Sequence, residues 1–168
     1  TLFRSKKSDI GPMGVISIVL VLIVDAAAVV SLAGTTVSGA WWRVAMVVAL
    51  GPAIGRAAIL FATMTGVPCA RPGGFGSLVA GVTTPESASI NLTVLGAVVA
   101  LAGFVAGGWR WCLIALICAA LALLIAWAWI HHLVRRLSGM TGDTFGSINE
   151  VTQMSFWVLS ALDRKSVV

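Results

Sequence analysis

The residues best suited to chemistry lie in one short polar stretch, Ser138-Gly139-Met140-Thr141-Gly142-Asp143-Thr144-Phe145-Gly146-Ser147-Ile148-Asn149-Glu150. Gly139 and Gly142 bracket Thr141, so the backbone there is free to take positive φ and approach a ligand closely. Asp143 precedes an expected helix on which Asp143, Ser147 and Glu150 recur at i, i+4 and i+7 and so share a face. Two carboxylates beside a Gly-rich turn suit Mg²⁺, which takes carboxylate oxygens together with phosphate. The same spacing also fits a plain helix start, with Asp143 as N-cap and Gly142 as a turn residue.

A second set is Gly55-Arg56 followed by Val67-Pro68-Cys69-Ala70-Arg71-Pro72-Gly73-Gly74-Phe75-Gly76. Arg56 falls inside an apolar run, where a charge is costly and is expected to face a polar cavity or a partner. Gly51-Pro52 just before it suggest a kinked or opened helix. A snorkelling Arg, or a structural pair with Asp25 on the preceding run, is the alternative. Arg71 offers a planar fork for phosphate, or serves only as a positive-inside residue. Asp9 is a candidate ligand, or the cap of a helix opened by Pro12. His131 and His132 are adjacent and point about 100° apart, so they make a poor joint metal site and read as interfacial or solvent-facing. Cys69, Cys112 and Cys118 form no CxxC pair and read as small apolar side chains. Walker, GxSxG and HExxH motifs are absent, so P-loop, acyl-transfer and zinc chemistry have no support.

The elements that position these residues follow from composition. Of 168 residues, 59% are hydrophobic and 10% charged, against roughly 25% charged in soluble domains. The class is an all-α integral membrane protein, because a spanning segment must satisfy its own backbone. Long apolar runs occur at Pro12–Gly34, Val44–Thr65, Ile90–Ala106 and Trp111–Val134. A shorter run, Val151–Leu162, spans only if its helix begins near Thr144. This predicts a bundle of about five transmembrane helices, a single membrane domain over 1–168. Gly96/Ala100 and Gly103/Gly107 are small-xxx-small pairs that suit helix packing or are ordinary apolar filler; membrane lipid and a homo-oligomer are the expected surroundings.

Five spans place Arg4, Lys6, Lys7, Arg71, Arg135 and Arg136 on one side. Arg43, Arg110, Arg164 and Lys165 fall on the other. That bias puts the first side, which holds the polar Gly-rich segments, in the cytoplasm. The net charge of +5 therefore reads as topology, not nucleic-acid binding.

The motifs also carry a resemblance. Ser138–Glu150, with its Gly-x-Thr-Gly-Asp-x-x-Gly core, resembles the C-terminal signature of the cobalamin synthase family, the adenosylcobinamide-GDP ribazoletransferases. Gly55-Arg56 and Pro68-x-Ala70-Arg71-Pro72-x-Gly74-x-Gly76 resemble its middle signature. Ser8-x-Ile10-Gly11-Pro12-x-Gly14 resembles the segment opening its later helices. The chain departs at Ser138, where Gly is usual, at Cys69, where Tyr is common, and at Lys7, where Asp is frequent. It also lacks the family's upstream acidic Asp-Gly stretch, and so looks like the C-terminal portion of a longer transferase.

The resemblance implies a multi-pass protein of a bacterial or archaeal cytoplasmic (inner) membrane acting late in cobalamin synthesis. It would join adenosylcobinamide-GDP to α-ribazole, or to α-ribazole 5′-phosphate, and release GMP with Mg²⁺. Asp143 would then bind Mg²⁺, with Glu150 and Asp9 as further metal candidates. Arg56 and Arg71 would clamp the diphosphate. Thr141, Gly142, Gly146 and Gly74 would shape the phosphate cradle. A CDP-alcohol-type phosphotransferase and a membrane transporter are the alternatives.

Overall fold

The computed structural model describes residues 12–34, 41–70 and 73–165. Among the described residues there are six helices: α1 (Pro12–Gly34), α2 (Trp41–Ala62), α3 (Phe75–Val79), α4 (Pro85–Gly107), α5 (Trp109–Leu137) and α6 (Gly142–Lys165). Among the described residues there is no strand, and only isolated bridges join loops. Four segments are long and apolar enough to cross a membrane: Gly14–Gly34, Trp41–Ala62, Pro85–Gly107 and Trp109–Leu137.

Helix α1 matches the first apolar run in full. Helix α4 starts earlier than its apolar run, because Pro85 suits the first helical position and the Thr84 side chain accepts from the Ser87 N–H. Gly108 takes φ 80° and donates its N–H to the Phe104 carbonyl, so α4 turns into α5 within a single residue. Helix α6 begins at Gly142 and has 24 residues, about 36 Å at 1.5 Å per residue. The fifth run therefore lies on a helix of sufficient length, but with the polar Gly142–Glu150 segment included α6 is not among the helices apolar enough to cross a membrane, so four of the about five expected spans are found among the described residues.

Helix α6 is less apolar than the four spans, and the bundle encloses it. It lies against α1, α2 and α5, while α4 packs on α5 and α2. Its buried residues, Thr144, Phe145, Ile148, Thr152, Phe156, Trp157 and Ala161, recur at helical spacing along one face. Phe156 and Trp157 join Ile54, Val99 and Ala122 in one core cluster. Phe145 and Ile148 join Ala58, Ala126 and Met140 in a second, nearer the α6 start. Thr152 is wholly buried, and its hydroxyl donates to the Ile148 carbonyl at 2.6 Å, so it is not left bare in the core.

Close approach of α2 to α6 depends on Gly51 and Gly55. A Cβ at Gly55 would lie 2.8 Å from the Asn149 carbonyl, and one at Gly51 would run into the Trp157 indole. Gly103 does the same for α4 against α5, with Cys112 Cα 2.8 Å from its would-be Cβ. Gly96, by contrast, faces open space, so of the two small-residue pairs only Gly103/Gly107 makes a packing face. Trp41 and Trp109 are exposed at the end opposite the polar motifs, as suits a membrane interface.

Replacing Gly55 by Val should lower stability by about 1–3 kcal/mol through overpacking against α6. Gly96→Ala should leave stability equal or slightly raised. Thermal unfolding in detergent checks both, and an unchanged midpoint for Gly55→Val would remove the α2–α6 contact.

Candidate functional site

Alternation of the helices brings the C-termini of α2 and α5 and the N-termini of α4 and α6 to one end of the bundle. The two Gly-rich loops meet there and bind each other through backbone. Met140 donates its N–H to the Pro68 carbonyl at 2.9 Å, and Ala70 donates to the Met140 carbonyl at 3.0 Å. Cys69 and Met140 form a parallel bridge. Gly139 adopts φ 149°, and a Cβ there would sit 2.5 Å from the Ala70 nitrogen. A Cβ at Gly76 would lie 2.6 Å from the Met140 carbonyl. The positive φ expected around Thr141 is thus found at Gly139 and serves the crossing of two loops. Gly142 is helical.

The first of these loops is also closed at its base. The Thr63 and Thr83 hydroxyls are 2.7 Å apart, and the Thr83 N–H donates to the Thr63 carbonyl at 3.1 Å. Within the loop, Gly74 is the N-cap of α3, and its carbonyl accepts from the Ser77 N–H at 2.9 Å. Gly74 stands two residues from the Gly76–Met140 contact and so at the same end as Asp143.

Capping of α6 falls to its threonines, not to Asp143. The Thr141 N–H donates to the Thr144 hydroxyl at 2.9 Å, and that hydroxyl donates to the Thr141 carbonyl at 2.7 Å. This side-chain return to the N-cap backbone is capping-box logic. Asp143 is consequently left exposed in the first turn. Gly146, one turn on, is exposed with open space around it. Glu150 continues the exposed face and accepts from the Asn149 side-chain amide at 3.3 Å. Ser147 leaves that face: its hydroxyl accepts from the Trp129 indole at 3.2 Å.

Arg56 is exposed and donates to the Pro52 carbonyl at 3.4 Å. That bond uses the peptide next to the proline, where α2 runs on without a break through Gly51-Pro52. Because Gly55 abuts Asn149, Arg56 stands level with Asn149 and Glu150. Asp25 is buried on α1, and its Oδ1 has no hydrogen-bond partner, so a pair with Arg56 is not made through that atom. Arg71 and Asp9 lie outside the described residues. His131 and His132 are exposed, His131 tilted against Trp127 and His132 stacked on Trp129. Cys112 and Cys118 are buried free thiols.

The donor set fits Mg²⁺ in one particular way. Among the described residues no three His, Cys, Asp or Glu side chains converge. Asp143 and Glu150 are seven positions apart, about 10 Å along the axis, too far to share one ion. Mg²⁺ commonly takes one or two carboxylates, with phosphate oxygens and water completing its shell. An exposed Asp143 beside the open shelf of Gly146 meets that need singly. The positive end of the α6 dipole and the exposed Arg135 and Arg136 add positive potential at the same end.

Fold and site together define a polytopic all-α membrane protein with crossed Gly-rich loops and one free carboxylate at a helix start. Residues 5–161 match the family described as cobalamin-5-phosphate synthase, and the chain belongs to that family. It is 35% identical over 164 residues to the adenosylcobinamide-GDP ribazoletransferase of Pseudomonas fluorescens (strain Pf0-1), covering 96% of this chain and 60% of that protein. It is 32% identical to the protein of that name from Pseudomonas syringae pv. tomato, over 96% of this chain and 60% of the relative. The like-named Frankia casuarinae protein is 30% identical over 94% of this chain and 55% of its own length. The chain thus spans about 60% of the length of these Pseudomonas relatives. No solved structure matches it.

Gly139→Ala should break the loop crossing, since it adds both a left-handed strain and a clash. The Ala70 and Met140 amides should then lose protection from hydrogen exchange by roughly tenfold or more, the effect of about 1.4 kcal/mol. Helix α4 should be unaffected, and unchanged protection at Ala70 would contradict the crossing.

Proposed function

We propose that the chain forms the membrane-anchored reaction site of a transferase that joins adenosylcobinamide-GDP to α-ribazole or α-ribazole 5′-phosphate and releases GMP. The observation carrying this reading is the backbone crossing of the two signature loops directly beside Asp143, an exposed carboxylate freed from capping. The crossing gives a fixed floor, and the α6 N-terminus aims amides at whatever rests on it. Gathering of the polar motifs at one end favours surface chemistry over a transport path, which would distribute polar groups along several spans.

In this reading Asp143 holds Mg²⁺, which when bound neutralises charge on the diphosphate oxygens. Thr141, Gly142, Gly146 and Gly74 keep the cradle shallow, so a phosphate approaches backbone amides closely. Arg56 and Arg71 balance the remaining negative charge. A hydroxyl of the ribazole attacks the cobinamide-side phosphorus, and the bond from that phosphorus to the GMP oxygen breaks. In this reading the site faces the cytoplasm, which the excess of Lys and Arg on this side of the sequence supports.

Asp143→Asn should reduce turnover by roughly a hundredfold or more, the usual cost of removing one electrostatic anchor at a transferring group. The assay supplies adenosylcobinamide-GDP, α-ribazole and Mg²⁺ to the protein in liposomes and follows cobalamin and GMP by chromatography. Full activity in the variant would discard Asp143. No product from folded wild-type protein would discard the reaction.

A further inference from the structure

At the end of the bundle opposite the crossed loops, α2, α4, α5 and α6 leave a partly open groove between them. Nothing in the reaction above uses it. Its lining is graded. Arg43 and Asp163 stand at the outer end, Ser160 lies a turn below Asp163, and beyond them the walls are apolar as far as Leu50 and Phe156. Arg43 to Leu50 on α2 and Asp163 to Phe156 on α6 are each seven positions apart, so the groove runs inward for about 10 Å. Helix α4 packs on α5 and α2 but hardly on α6, and the small side chains of Ala102 and Ala106 keep that seam open.

The outer end has an unmet need. Arg43 is half-buried, and its Nε is sealed from solvent with no hydrogen-bond partner. A buried donor without an acceptor is costly, and more so on a charged group. The Trp42 ring, 5.4 Å from the guanidinium carbon, offers a π-face but no lone pair. Trp41 and Trp109 are exposed at the same end, which sets Arg43 at the level of lipid headgroups. The abundant acceptor at that level is a lipid phosphate, which the Arg fork meets in bidentate fashion. Water would satisfy Nε alone and has no affinity for an apolar groove leading inward from it. A polar mouth above an apolar trough is the shape of an amphiphile.

We infer that this groove holds one phospholipid, its phosphate on Arg43 and an acyl chain laid along Leu50, Ile114 and Phe156. Asp163, on the opposite wall, selects the headgroup. Its carboxylate repels a second anion and accepts from a primary ammonium, so one Arg and one Asp match the two charges of a phosphatidylethanolamine. A phosphatidylglycerol brings only the negative charge, and a phosphatidylcholine ammonium has no N–H to donate. The bound lipid would fill the seam between α4 and α6. The inference stands on shape and charge, and does not depend on the transferase reaction.

The test uses the protein purified in detergent and delipidated, with native mass spectrometry to count and rank the dioleoyl lipids it retains. Wild-type protein should retain one phosphatidylethanolamine, roughly tenfold more tightly than phosphatidylglycerol or phosphatidylcholine, as a matched charge pair implies. Arg43→Gln should weaken that binding by roughly tenfold or more, the effect of losing a charge-assisted contact. Asp163→Asn should erase the preference over phosphatidylglycerol. Neither side chain is fully buried, so circular dichroism should show unchanged helix content in both variants. Should Arg43→Gln fail to fold, Asp163→Asn reads the same groove from the other wall. Wild-type protein that retains no lipid, retains the three equally or prefers another of them overturns the inference. So does phosphatidylethanolamine binding or selectivity that either folded variant leaves unaltered.

Discussion

Two backbone hydrogen bonds, from Met140 to Pro68 and from Ala70 to Met140, hold together parts of the chain separated by two membrane helices. Each bond contributes only about 1 kcal/mol net. Their structural effect is larger than that figure suggests. They fix the start of α6 relative to the end of α2, and with it the direction in which Asp143 projects. Gly139 is the residue that permits the approach, because any side chain at φ 149° would drive into the Ala70 nitrogen. The Thr63–Thr83 hydroxyl pair closes the other end of the same loop. A connection that would otherwise wander is thereby made into a floor.

Beneath that floor, helix α6 sets the arrangement. Its polar content makes it a poor lipid-facing span, so it is surrounded by α1, α2 and α5. Lipid offers no hydrophobic drive for helices to associate, and close packing must supply the attraction. Gly51 and Gly55 provide that closeness on α2, and the large Phe156 and Trp157 of α6 fill the space it creates. Thr152 turns its hydroxyl back on its own helix and so adds no polar cost.

The sequence made much of this legible. Apolar run length placed α1 to the residue and the other spans within a few positions, because the membrane imposes helix on any such run. The rest depended on neighbours that spacing does not reveal. Thr144 took the capping role expected of Asp143, since its hydroxyl returns to the Thr141 backbone. Ser147 left the shared face with Asp143 and Glu150 because Trp129, on another helix, offered a donor. Gly139 and Gly76 look like ligand-binding glycines in one dimension, and only the fold shows that each was needed by the other loop. Asp25 stands out in the sequence as a charge that could pair with Arg56, but its burial on α1 with Oδ1 unpartnered depends on the rotation of that helix, for which the even apolarity of α1 gives no clue.

Helix α5 carries one more consequence. It has 29 residues against 23 for α4, which makes it about 9 Å longer at 1.5 Å per residue. The two are joined by a single-residue turn at Gly108, so the surplus emerges wholly at the opposite end. A hydrocarbon layer of about 30 Å would need this 43 Å helix to lean by more than 40° to hide it, beyond the usual range of tilts. The last turns of α5 therefore stand above the lipid tails, with His131, His132, Arg135 and Arg136 at headgroup height. The helix works as a riser: the thickness of the host bilayer sets how far above the lipid the crossed loops are carried.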